Sequence, residues 1–161
     1  MTRQRILITG ASSGLGAGMA RAFAAKGRDL ALCARRVDRL EELRSELIQR
    51  YPGIKVAVAA LDVNDHDQVP TVFAELAGEL GGIDRVIVNA GVGKGAPLGS
   101  GKLWANKATI ETNLVSALVQ VETALEMFTP PALCEGEGEQ FDEATKTHRA
   151  RLDFVFYPSS T

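Results

Sequence analysis

Charge of one sign, cysteine, histidine and long apolar runs are all scarce in this sequence, and each scarcity removes a class of function. The 161 residues carry 18 Lys and Arg against 20 Asp and Glu, a formal net charge of -2. No basic field exists to hold a phosphate backbone by counterion release, so no nucleic-acid partner is expected. Cys33 stands in an apolar run and Cys134 in a polar stretch, which is neither a disulfide framework nor a metal spacing, and both read as free thiols. His66 and His148 are far apart and read as surface or capping residues; no metal is expected. No apolar run approaches the roughly 18 to 20 residues that span a bilayer. The opening MTRQRILITG enters a strand pattern without a secretory core or cleavage site, so a cytoplasmic protein with no membrane partner is expected. What is present is ordinary globular usage, 45% hydrophobic and 24% charged, enough for one sizeable core.

Up to residue 128, short apolar runs alternate with helical periods. Arg5–Thr9, Asp29–Ala34, Ile54–Ala59 and Asp84–Val88 read as four strands whose near-continuous apolar character suits a parallel sheet covered on both faces. Between them, Leu15 to Lys26 is Ala-rich and stops at Gly27. Asp38 with Glu41 makes a capping pattern ahead of Leu40, Leu43 and Leu47, and that helix ends at Tyr51-Pro52-Gly53. A third helix is expected from about Asp65 to Leu80, with Pro70 restarting it or costing it one hydrogen bond, and Gly81-Gly82 closing it. Leu103 to Phe128 lacks Gly and Pro, and Ile110, Leu114, Leu118, Val121 and Leu125 recur at spacings of three and four, so one long helix is expected there. Strand and helix in strict alternation demand right-handed crossovers and a doubly wound, Rossmann-like α/β sheet, with the ligand crevice beyond the carboxyl ends of the strands. After Phe128 the apolar periodicity stops. Residues 129–161 read as a divergent, disordered tail in which Leu152–Tyr157 alone has strand character.

The first strand runs into Thr9-Gly-Ala-Ser-Ser-Gly-Leu-Gly16. Bare glycine backbone lets a dinucleotide pyrophosphate approach closely and rest on the helix N-terminus, and the Ser12 and Ser13 hydroxyls add donors. A glycine turn that only packs helix on strand is the alternative reading.

With that turn, the sequence resembles the short-chain dehydrogenases/reductases. TGASSGLG is similar to their TGxxxGxG turn, Asn89-Ala90-Gly91 to their NAG motif, Asn113 in ETNLVSAL to the asparagine of their long helix, and Asp62 in LDV to their aspartate near the adenine. The resemblance covers residues 1 to about 128. It implies that Gly10, Ser12, Ser13, Gly14, Leu15 and Gly16 hold the pyrophosphate, that Asp62 and Val63 face the adenine, and that Asn89, Ala90 and Gly91 lie along the cofactor. Asp62 and Asn64 as helix caps, and Asn89 as a turn residue, are the plainer readings.

Cofactor choice falls at the end of the second strand, where a carboxylate would accept from the ribose 2′-hydroxyl of NAD. Cys33-Ala34-Arg35-Arg36 offers none. Guanidinium forks suit a 2′-phosphate, so NADP(H) is expected, with Arg35 the main contact and Arg36 a secondary one.

The resemblance also implies that Asn113 is a catalytic residue, ordering a proton-relay water, and that a Tyr-x-x-x-Lys pair comes after the long helix, but none follows Asn113. Tyr51-Pro-Gly-Ile-Lys55 matches the string, but Pro52 and Gly53 break the helix that would align the pair, and it leads into the amino end of a strand. Tyr157 has only four residues after it; Ser160 is a weak counterpart of the family serine. The expectation is therefore a sheet cut short after four or five strands, its fourth strand an apolar edge, in a marginally stable, aggregation-prone chain. A natural altered product and a reading-frame change near Phe128 both account for the tail. Two functions stay open: an NADP(H)-dependent oxidoreductase for a small alcohol or carbonyl substrate, inactive as written, and a non-catalytic nucleotide-binding module. A methyltransferase would want an acidic end to the second strand, against Arg35. Trp104 and Phe128 read as core or interface anchors, the helix 103–128 as a possible homo-oligomer contact, and the glycines from Gly91 to Gly101 as a flexible loop.

Overall fold

The computed structural model describes residues 4–128 and the backbone of residues 151–153. The elements are β1 (Arg5–Thr9), α1 (Gly14–Ala24), β2 (Asp29–Ala34), α2 (Val37–Arg50), β3 (Val56–Ala60), α3 (Gln68–Leu80), β4 (Arg85–Ile87), α4 (Leu103–Ile110), a π-helical turn (Glu111–Val115), α5 (Ser116–Phe128) and β5 (Arg151–Asp153). The strands form one parallel sheet in the order β3-β2-β1-β4-β5. The order reverses between β1 and β4, which is the switch point where a doubly wound sheet opens its crevice.

Strand alternation divides the core into two layers. Ile6, Ile8, Leu30, Leu32 and Val56 face α1 and α2, meeting Ala17, Ala20 and Ala24 of one helix and Leu40, Leu43 and Leu47 of the other. Leu7, Ala31, Cys33, Ala57 and Val86 face α3, whose Val69, Val72, Phe73, Leu76 and Leu80 cover them, with Ala124 of α5 alongside. At the amino edge, Asp84 accepts from Arg5 Nε at 3.0 Å, Nη2 at 2.7 Å and the backbone N–H at 2.8 Å. These bonds, the hydrogen bond to Asp84 first, hold the Arg5 guanidinium above its usual pKa.

Several expectations shift. Strand β3 starts at Val56 rather than Ile54, and β4 keeps only Arg85–Ile87. The Asp38–Glu41 capping pattern is not used: Arg36 is the N-cap of α2 and makes no side-chain cap bond, because only two residues link β2 to α2, leaving Asp38 in the first turn. Helix α3 begins at Gln68, placing Pro70 in its first turn, where its missing N–H costs no bond.

The expected single helix 103–128 is interrupted by the π-turn. The extra residue of a π-turn rotates the phase of the helix beyond it. Thr112, Ser116, Gln120, Thr123 and Ala124 are consequently buried, while Ile110, Leu114 and Leu118 lie more than half exposed. The aliphatic stripe that marked the helix is thus exposed at these three positions. Strand β5 pairs with β4 along Arg85–Ile87, so β4 is not the edge strand that was expected. The remainder of the tail, including Cys134, His148, Tyr157 and Ser160, lies outside the described residues.

Candidate functional site

Beyond the carboxyl ends of β1 to β4 opens a cleft of about 330 Å³, bounded by the Ser12–Leu15 turn, the Arg35-Arg36 pair, the Asp62–Asn64 loop and Asn89–Val92. Every residue expected to touch cofactor lines it except Gly16. Gly16 is buried beneath the turn, where a Cβ would sit 2.4 Å from the Gly10 carbonyl oxygen and 2.8 Å from Asn89 Nδ2. Gly10 has φ +68 and would press a Cβ to 2.8 Å from Ala90 Cα. At both positions the close approach of neighbouring backbone requires glycine. Gly14, at φ +54, lines the cleft with nothing within 4 Å of a Cβ position. Ser13 caps α1 in extended backbone without spending its hydroxyl on a cap bond, and no acidic residue stands in the first helical turn. The partial positive end of α1 is thus left uncompensated and faces the cleft, an arrangement that can receive an anion.

At the end of β2 the two arginines diverge. Arg36 Nη2 donates to Ser13 Oγ at 2.8 Å and to Ser12 Oγ at 3.3 Å, bridging the phosphate turn to the start of α2. Arg35 Nη1 lies 4.0 Å from Asp62 Oδ2, both side chains well exposed, a loose pair worth little energetically. Asp62 also accepts the Asn64 N–H at 3.1 Å; it shapes its own loop and does not cap α3, whose N-cap is Asp67.

The β4 side is built on Thr9 and Asn89. Thr9 Oγ1 accepts the N–H groups of Asn89 and Ala90, each at 3.1 Å. Asn89 Nδ2 donates to the Thr9 carbonyl at 3.0 Å, so this carboxamide braces the wall of the cleft. Asn113 lies just outside the cleft and grips the Val92 backbone, accepting its N–H at 2.8 Å and donating to its carbonyl at 2.9 Å. Asn106, two turns earlier, does the same to Ala96 at 2.7 and 3.0 Å. The glycine-rich loop read as flexible is therefore pinned to the helix at two points.

Sequence reasoning passed over Asn106, and over Asn64 and Thr112 as cleft-lining residues. The signal for Asn106 was its spacing of seven from Asn113, which puts two carboxamides on one helical face opposite a loop poor in side chains. The Tyr51–Lys55 string sits where expected: Tyr51 is the C-cap of α2, and the Lys55 N–H donates to Asp29 at the amino edge, away from the cleft. Behind the cleft, Cys33 is fully buried and burial pushes its thiol up to about 12. Among the described residues no group of His, Cys, Asp or Glu comes together to hold a metal ion, and no helix is long and apolar enough to cross a membrane.

The sequence profile of short chain dehydrogenases matches residues 4–137. An uncharacterized oxidoreductase of Mycobacterium tuberculosis is 82% identical over 128 residues, covering 80% of this chain and 51% of that protein. An alcohol dehydrogenase from the archaeon Thermococcus sibiricus, complexed with 5-hydroxy-NADP, superposes with a TM-score of 0.73 at 35% identity, over 78% of this chain and 53% of that one. The NADPH-dependent 3-quinuclidinone reductase from Rhodotorula rubra gives 0.71 at 31% identity, over 80% and 48%. The chain spans about half the length of these relatives.

Proposed function

The chain belongs to the short-chain dehydrogenase family, and on that premise we propose that its cleft holds NADP(H) and that the whole protein oxidises or reduces a small alcohol or carbonyl compound. The observation that carries the cofactor choice is the Arg36 guanidinium, held 2.8 Å from Ser13 Oγ beside Arg35 where an NAD site would need a carboxylate. Two guanidiniums and two hydroxyls make a donor set for a 2′-phosphate, and the uncompensated N-terminus of α1 above Gly14 makes one for the pyrophosphate. Asp62 and Val63 flank the adenine, and Asn89, Ala90 and Gly91 follow the cofactor toward its nicotinamide, the group that carries the hydride. Titration calorimetry tests this: NADPH binds at least about tenfold tighter than NADH, and Arg35→Ala and Arg36→Ala each erode that margin, as loss of charge-assisted bonds requires. Tighter binding of NADH overturns the assignment.

One observation favours a second reading. No Tyr-x-x-x-Lys follows Asn113 within these 161 residues, and a nucleotide-binding module, which keeps the cradle, needs none. The readings part on one assay, since both bind NADPH and only the first consumes it with a carbonyl partner. The outward stripe of Ile110, Leu114 and Leu118, with Trp104 67% exposed beside it, further supports a homo-oligomer formed through residues 103–128. Light scattering during gel filtration tests that, with Leu118→Glu expected to shift the assembly to monomer.

A further inference from the structure

A polar cluster lies between the adenine side of the cleft and the π-turn, and the cofactor reading gives it no task. Asn64 Oδ1 accepts from Thr112 Oγ1 at 3.2 Å and from Ser116 Oγ at 2.8 Å. Ser116 Oγ is also 3.0 Å from the Glu111 carbonyl, the same oxygen that takes the Ser116 N–H to close the π-turn. His66 Nε2 completes the group, 3.2 Å from Ser116 Oγ and 3.6 Å from Glu111 Oε1. Ser116 is wholly buried and Thr112 nearly so.

Proton counting fixes the direction of these bonds. A serine hydroxyl has one proton, and two of its three neighbours, Asn64 Oδ1 and the Glu111 carbonyl, only accept. With the Ser116 proton given to Asn64 Oδ1, the contact with His66 is a hydrogen bond when its Nε2–H donates. Without that donor the Ser116 oxygen keeps its proton and its bond to Asn64 but loses one of its two contacts with the loop after β3. Asp62 joins the same chain through its bond to the Asn64 N–H, and Asn113 stands in the middle of the π-turn gripping Val92.

We propose that His66 is a positioning residue, clamping the Asp62–Asp67 loop to the π-turn through Ser116 and Asn64 so that the adenine side of the cleft and the Asn113 side move as one body. The clamp stands on the bonds just given; the claim that it couples two halves of one cofactor rests on the NADP(H) reading. A π-turn is a local distortion that neighbouring groups must hold in place, and these side-chain bonds join it to a segment about 50 residues away in sequence.

The test is amide hydrogen exchange on the 161-residue chain, free of ligand, compared with His66→Leu, His66→Gln and Ser116→Ala. Loss of the donor in His66→Leu raises exchange in residues 62–65 and 111–116 together by about three- to tenfold, the range of one or two net hydrogen bonds. Amides of β1 and β2 stay unchanged. His66→Gln, which keeps an N–H donor, recovers most of the protection. Ser116→Ala removes the hub at a site where alanine suits the helix, and it reproduces the loss should His66→Leu fail to fold. Unchanged exchange at 111–116 in His66→Leu or Ser116→Ala, or a change at only one of the two segments, overturns the clamp. A second arm adds adenosine 2′,5′-bisphosphate, which lacks the nicotinamide, and follows the Asn113 and Val92 amides by NMR. They shift in the parent chain and not in His66→Leu. Binding without that shift overturns the coupling, whereas no binding with the exchange result intact overturns the NADP(H) reading and leaves the clamp standing.

Discussion

Thr9 Oγ1 sits 3.1 Å from the backbone nitrogen of Asn89 and, by accepting its N–H, ties the end of β1 to the chain leaving β4; the Ala90 N–H reaches the same oxygen at 3.1 Å. Thr9 is fully buried, so no water replaces it. Thr9→Val keeps the volume and removes the acceptor, stranding two N–H groups at about 1 to 3 kcal/mol each before relaxation. A loss of about 2 kcal/mol or more is expected in urea unfolding, with Thr9→Ser recovering over half of it. A Thr9→Val chain as stable as the parent would show that the fork does not hold the wall.

Gly16 and Gly18 lie two residues apart in α1 and should respond oppositely to alanine. At Gly16 a Cβ meets backbone at 2.4 Å and 2.9 Å as well as Asn89 Nδ2, and the turn must shift, at a cost of about 1 to 3 kcal/mol. At Gly18 nothing lies within 4 Å, and alanine stabilises by about 0.5 to 1 kcal/mol by narrowing the unfolded ensemble. Thermal melts of the two variants on either side of the parent would bear this out, and a Gly18→Ala melt below the parent would contradict it.

The strands, the helix faces over Leu40 to Leu47 and the glycine turn are legible in the sequence because each depends on local periodicity or on a residue type with one physical use. The stripe from Ile110 to Leu125 misleads for an equally physical reason. Periodicity says that a face is apolar and never which way it points, and the buried face of α5 is built from Ser116, Gln120, Thr123 and Ala124, of which Ser116 takes its side-chain partners, Asn64 and His66, from another loop. Asn64 illustrates the same limit, since its two hydroxyl donors come from residues 48 and 52 positions away. The sequence marks Arg36 as a candidate anion contact, but its bridge to Ser12 and Ser13 depends on how close the turn lies to α2.

The Arg21–Glu46 fork, at 2.8 and 2.7 Å, joins α1 to α2 across the surface. The hydrogen bond from Arg21 holds the Glu46 carboxyl below its ordinary value of 4.5. A carboxylate depressed by folding stabilises the protein above its unfolded pKa, and that contribution fades as pH falls from about 4.5 through the native value. Both side chains are more than a third exposed, so the effect stays below about 1 kcal/mol and shrinks with salt. Glu46→Gln is expected to be slightly less stable than the parent at pH 7 and equal to it near pH 3; a difference that persists unchanged in acid would remove the ion pair from the account.

Cys33 offers the opposite sign. Its thiol is fully buried, with Sγ 3.9 Å from the Ile8 carbonyl, and burial pushes it up to about 12 from an ordinary 9.0. The native state therefore keeps the proton where the unfolded chain has released it, so stability falls as pH rises above about 9, by at most about 1.4 kcal/mol per pH unit. Subtracting the same titration of Cys33→Ala isolates this slope from the lysines and tyrosines. The same burial keeps the thiolate from forming near neutral pH, so iodoacetamide at pH 8 should modify the Cys33 peptide only at the rate of unfolding. Peptide-resolved mass spectrometry distinguishes that site from Cys134. Rapid labelling of Cys33 without denaturant would mean that the β2 end of the sheet, and with it the floor of the cleft, opens far more readily than its packing implies.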